Sequence, residues 1–240
     1  MKSIFVLLST FCFLFGDIGG KISIKLPKQE IPTKKEDAMR LKLPALDLKV
    51  GESGILTREV NGNSFIISNL VVDSIEDGIA NILVKDFDDL EQEYMPKPLG
   101  EPQEGDIAFF RIFYGRGMII APNQNLYQSI LESKLEINFT HPDVFASFLS
   151  SQKENMPKKE NFAKFCAKFN IGLLYLLSKS TLFTLDCNSF VVLESKSMDI
   201  IDSTMQSPFF TRLSDEIIDK LFSIKKMEDY DTYYEKLLSQ

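Results

Sequence analysis

Between Ala45 and Pro122 apolar-rich runs recur at short intervals, Ile55 to Val60, Phe65 to Asp73, Ile79 to Lys85 and Ile107 to Phe113. Each is bounded by turn-forming residues: Gly51, Gly54, Asn61-Gly62-Asn63, Asp77-Gly78 and Gly105-Asp106. Strands of this length separated by tight turns predict a small barrel or sandwich, the β-barrel-like module being the preferred form, over residues 45–122. Pro96, Pro98 and Pro102 place one exposed, partly rigid loop inside it. Ahead of the module, residues 21–44 are rich in Lys and Glu and carry Pro27, Pro32 and Pro44. Alternation there is short, Lys21 to Leu26, so the segment predicts an extended leading arm with at most one edge strand.

Beyond Pro122 the apolar period switches between two and three to four residues, which predicts an α/β module over 123–240 and, for the whole chain, a mixed α+β fold. Met118-Ile119-Ile120 is a short apolar strand leading in, and Asn123 is placed to cap a helix bearing Leu126, Tyr127, Ile130 and Leu131. Ile137 to Phe139 reads as a strand. Thr140 or His141 caps the next helix, with Pro142 in its first turn and Val144, Phe145, Phe148 and Leu149 on its apolar face. Phe162, Phe165, Cys166 and Phe169 mark a third helix; Ile171 to Leu177, Thr181 to Asp186 and Phe190 to Leu193 read as strands. Two closing helices are predicted, one capped by Ser214, one with Tyr230, Tyr233, Tyr234, Leu237 and Leu238 on a single face.

The first residues depart from both periods. Lys2 precedes an apolar run from Ile4 to Phe15, followed by Gly16, Gly19 and Gly20. A membrane-spanning helix needs about 20 apolar residues. The shorter run after a positive charge predicts a signal peptide over residues 1–20 and export to the periplasm, outer membrane or cell surface. Export would leave Cys166 and Cys187 in an oxidising compartment, where one disulfide can form if their Cα atoms come within roughly 7 Å. The helical spacing around Cys166 equally suits a buried thiol acting as a small hydrophobe.

Charge narrows the function. Against 27 basic residues stand 34 acidic ones, a net charge of -7. That balance argues against nucleic acid as a partner. His141 is the single histidine of the chain, which excludes paired-His zinc motifs. Cys166, His141 and Asp143 could be written as a nucleophile set, but the apolar-face cysteine and the helix-start histidine read better as structure. Gly51-Glu52-Ser53-Gly54 lacks the spacing of a nucleophile elbow, and Gly115-Arg116-Gly117 is too short for a dinucleotide loop; both read as turns. The acidic run Asp86-Phe87-Asp88-Asp89 lacks the glycine and ligand spacing of a calcium loop. No catalytic residue, metal, cofactor or small-molecule substrate is therefore expected. Asn138-Phe139-Thr140 is a glycosylation acceptor by pattern, although a buried strand there would oppose occupancy.

Five segments carry a family resemblance. In order they are Leu48-Lys49-Val50-Gly51-Glu52-Ser53-Gly54, Ile120-Ala121-Pro122-Asn123-Gln124, His141-Pro142-Asp143-Val144-Phe145, Ile171-Gly172-Leu173-Leu174-Tyr175 and Ser207-Pro208-Phe209-Phe210. Together they resemble the N-terminal domain of the plasminogen-binding proteins of certain flagellated Gram-negative bacteria, over Leu41 to Leu238. The resemblance implies an exported, non-enzymatic envelope or surface protein that binds host plasminogen through lysines. A kringle domain holds the Lys ammonium between acidic groups and its stem on aromatic rings. Family members can carry a lysine-rich extension beyond this domain. The sequence here ends at Gln240, so Lys225, Lys226 and Lys236 are the contacts the resemblance leaves. The alternative is a structural component of the periplasm or outer membrane, such as a flagellar-motor scaffold, using its barrel for protein contacts.

Overall fold

A computed structural model describes residues 20–27, 33–35, 38–87, 101–154, 156–200, 204–213 and 229–239. The helix expected from Ser214, together with Lys225 and Lys226, lies outside the described residues, as does the predicted signal apart from Gly20.

Seven strands form the first sheet: β1 (Ile22–Lys25), β2 (Thr33–Lys35), β3 (Ala38–Pro44), β4 (Ser53–Val60), β5 (Asn63–Glu76), β6 (Ile79–Asp86) and β7 (Ile107–Phe110). Their order is β1-β7-β4-β5-β6-β3-β2, and every pairing is antiparallel. The ends β1 and β2 do not meet, so the sheet is a half-barrel and not a closed one. Alternate residues fill its core. Leu56 and Leu70 are fully buried, and Val72, Ala80, Ile82, Ala108 and Phe110 pack with them.

The leading arm expected over 21–44 is part of this sheet. β1 lies on β7 at one edge, while β3 pairs with β6 from Met39 to Pro44. The cause is visible in Arg40-Leu41-Lys42-Leu43: Leu41 and Leu43 turn into the core and Lys42 to solvent. The surrounding prolines and lysines mask this alternation. Pro44, at the strand's end, forfeits no interior ladder bond.

Five strands make the second sheet: β8 (Arg116–Ile120), β9 (Asn138–Thr140), β10 (Leu173–Ser178), β11 (Thr181–Asp186) and β12 (Val192–Ser197). The order is β12-β11-β10-β8-β9, with β8 parallel to both β9 and β10. β8 therefore belongs with the α/β half, and the half-barrel ends at Phe110, upstream of the expected boundary at Pro122. Strand propensity announces a strand but not the sheet it joins. β10 is buried along its whole length, as expected of a strand covered on both faces. Leu174 and Leu176 face one core with Met118 and Ile120; Leu173, Tyr175 and Leu177 face the other with Ile119.

Helices cover these faces. α1 (Gln124–Ser133) packs on the second face, whereas α2 (Pro142–Ser151), α3 (Lys159–Phe169) and α4 (Tyr230–Ser239) pack on the first. Asn123 caps α1 by accepting the Leu126 N–H at 2.9 Å. His141 caps α2 through Nδ1, which accepts the Asp143 N–H at 3.2 Å, with Pro142 in the first turn. In α4 the buried Tyr230 donates its hydroxyl to the Leu177 carbonyl at 2.7 Å, and Tyr234 donates to that of Pro208 at 2.8 Å. Buried tyrosines need such partners.

Candidate functional site

The two sheets meet where β4 begins. Gly51 has φ 89°, and a Cβ there would stand 2.4 Å from Val191. Only glycine permits this approach of the β4 turn to the loop before β12. The close approach positions Glu52 and Ser53. Glu52 is fully buried, and Arg111 Nε donates to both its carboxylate oxygens at 3.0 Å. The same guanidinium reaches Asp47, Nη1 to Oδ2 at 2.8 Å and Nη2 to the main-chain carbonyl at 2.7 Å. Arg111 takes a left-handed φ of 58°, which ends β7 at Phe110 although the sequence predicts a strand to Phe113. Burial pulls the Arg111 pKa down, and the hydrogen bonds it donates to Glu52 and Asp47 reverse this and leave it raised. The Arg111 hydrogen bond holds Asp47 below the usual carboxylate range.

Beside this triad, Asp186 at the end of β11 is also fully buried. Its Oδ2 accepts the Ser53 N–H at 2.8 Å, the Ser53 hydroxyl at 2.7 Å and the Tyr114 hydroxyl at 2.8 Å. Oδ1 accepts the backbone N–H groups of Asn188 at 3.0 Å and Ser189 at 2.9 Å. Burial first, then the Asp186 charge, pushes the Tyr114 phenol far above its usual range. With its acceptor positions filled, the carboxylate locks the half-barrel to the second sheet. The long-range partners of Asp186, Ser53 and Tyr114, carried no signal in the sequence. Glu52 lay in a segment read only as a turn, and Arg111 carried no signal.

Next to the joint, a cleft of about 620 Å³ opens between the outer face of β4 and β5 and the exposed face of α3. Ile55, Val71 and Phe113 contribute apolar surface; Lys85 stands on the β6 wall and Lys164 and Lys168 on the α3 wall. Cys166 also borders it. That residue is joined to Cys187 in a disulfide with Cα atoms 5.9 Å apart, tying α3 to the segment after β11.

The disulfide leaves Cys166 without a thiol, so the residues Cys166, His141 and Asp143 do not form a nucleophile set. Asp143 is instead engaged by the Thr211 hydroxyl and by the Arg212 N–H and Nε, each at 2.9 Å. Asn138 lies on the edge strand β9 with its side chain exposed. Lys236 is exposed in the last turn of α4.

His141 is expected to make stability depend on pH. Burial lowers its pKa from 6.5, the Asp143 charge offsets part of this, and Arg212 adds to the lowering. The unfolded chain therefore binds the proton more tightly. Stability is complete above about pH 6.5 and declines as pH falls toward the depressed folded value. His141→Asn keeps a capping acceptor and removes the titration. Its melting temperature should fall less than that of the wild type between about pH 7.5 and pH 5.5; equal falls would exclude His141 as the source.

A half-barrel joined through the buried Asp186 carboxylate to a helix-covered mixed sheet defines a two-sheet α+β domain. The chain belongs to the family described as plasminogen-binding protein pgbA N-terminal, whose model matches residues 27–238. It is similar to Plasminogen-binding protein PgbA of Helicobacter pylori strain J99, 34% identical over 206 residues, which is 83% of this chain and 45% of that protein. The corresponding protein of strain 26695 is 33% identical over 206 residues, 83% of this chain and 44% of its own length. The chain thus spans less than half the length of these relatives. No solved structure matches it. The five segments read as the family resemblance fall on the Gly51 turn, the α1 and α2 caps, β10 and the buried Phe209 and Phe210, all of them structural positions.

Proposed function

We propose that this chain is an exported, non-enzymatic binding domain of the cell envelope or surface whose partner is a protein, host plasminogen first. The observation that carries this reading is membership of a family whose relatives are named for plasminogen binding. Exposed lysines supply the chemistry: an ammonium on a long apolar stem suits a kringle pocket of carboxylates and aromatic rings. Lys236 stands on the exposed side of α4, and Lys225 and Lys226 precede that helix in sequence.

Titration of the mature protein onto immobilised plasminogen, with and without a free lysine analogue, tests the proposal. Saturable binding that the analogue competes away is expected, and it should weaken on Lys→Arg at the three positions, since a planar guanidinium does not replace a compact ammonium. Binding that ignores the analogue and survives Lys→Ala at all three would favour the envelope structural component instead. Protease shaving of intact cells reads the surface placement in parallel.

A further inference from the structure

The cleft between the half-barrel and α3 is built differently from the rest of this acidic molecule. Lys85, Lys164 and Lys168 line it, and Asp86 is the one acid on its lining among the described residues. This local excess of positive charge stands in a chain of net charge -7. All three ammonium-bearing side chains are exposed. Lys85 and Lys164 form no ion pair among the described residues, and Lys168 lies over the Phe169 ring at 6.0 Å. Lys164 and Lys168 share one face of α3 by their spacing of four, and Lys85 stands on the opposite wall. Ile55 and Val71, on the same sheet face as Lys85, and Phe113 add apolar surface to the lining. At about 620 Å³, the cleft falls within the roughly 300–1,000 Å³ usual for binding sites.

We propose that this cleft is a docking site for an extended acidic peptide segment of a protein partner. Its apolar side chains would cover Ile55, Val71 and Phe113 while its carboxylates meet Lys85 on one wall and Lys164 and Lys168 on the other. Positive charge on both the sheet wall and the α3 wall of a cleft with apolar lining matches a ligand with several separated carboxylates better than one with a single anionic head. Asn170, exposed at the end of α3 and on the lining, adds a side-chain amide able to pair with a peptide group. The fixed geometry of the walls comes from the disulfide on one side and from the Ser53–Asp186 bonds on the other.

Random linear peptides displayed on phage, selected on the mature protein, are the probe. Enrichment of sequences that combine Asp or Glu with large apolar residues is expected, and the synthesised leading peptide should bind saturably by fluorescence anisotropy. Lys164→Glu with Lys168→Glu should weaken it about tenfold or more, as reversed charges at a contact do, and Ala167→Trp should block it by filling the cleft. The charge variants sit on an exposed helix face, so an unchanged circular dichroism spectrum separates lost binding from lost folding. The proposal is overturned if no sequence is enriched, if enriched peptides lack acids, if charge reversal leaves affinity unchanged, or if a small organic anion co-purifies in the cleft and excludes peptides. Plasminogen binding is read separately through the lysine analogue, so the two ideas can fail independently.

Discussion

Arg111→Met is expected to lower the unfolding free energy by about 3–5 kcal/mol, the usual cost of removing one partner from a buried ion pair. Glu52 would keep its place at full burial with its counter-charge gone. Urea unfolding should show the loss as a shifted midpoint with little change in slope. Pairing Arg111→Met with Glu52→Gln should recover part of it, since a buried amide is far cheaper than an unpaired charge. The half-exposed Arg40–Asp73 pair is the contrast: Arg40→Met should cost no more than about 1 kcal/mol. Similar losses at both sites would mean that water reaches Glu52 and that the joint is not the anchor described.

Replacing Cys166 and Cys187 together by Ala, or reducing the wild-type protein, should cost about 3 kcal/mol. That figure follows from the lost restriction of the unfolded chain for a cross-link 21 residues apart in sequence. The double Ala variant avoids leaving a thiol in either fully buried position. Melting with and without reductant is the measurement, and the variant itself should be insensitive to reductant. A wild-type melting temperature that reductant leaves unchanged, with reduction verified by thiol labelling, would exclude a stabilising cross-link. Because the bond ties α3 to the segment after β11, the loosened form should also lose definition at the α3 wall of the cleft, read as weaker peptide binding.

Local signals were read well where neighbouring residues settle the structure. Asn123 and His141 cap their helices as their positions imply, and β4, β5 and β6 begin and end near the glycine turns. Period alone also placed Phe145, Phe162 and Phe165 on faces that become one core. Reading failed where the partner is distant. Arg111 ended β7 early because it binds Glu52, 59 positions away in sequence. β8 left its sequence neighbours for the second sheet because β10 lies beside it there. The β3 strand was legible in Arg40-Leu41-Lys42-Leu43, but prolines and charges drew the reading toward an open arm.

For the candidate site the division is sharper. The family could be read from five segments because those segments are turns, caps and core, where packing restricts the residue types allowed. The cleft could not, because Lys85, Lys164 and Lys168 are ordinary surface lysines until folding brings β6 and α3 to opposite walls. By itself the sequence determined the mixed composition of strands and helices, their caps and turns, and the family, all set by contacts within a few residues or by side-chain patterns on one face. The tertiary structure alone decided that the barrel stays open, that Glu52, Arg111 and Asp186 become a buried joint, and that scattered lysines converge. Those outcomes depend on pairs far apart in the chain, whose burial and charge acquire meaning only once the two sheets meet.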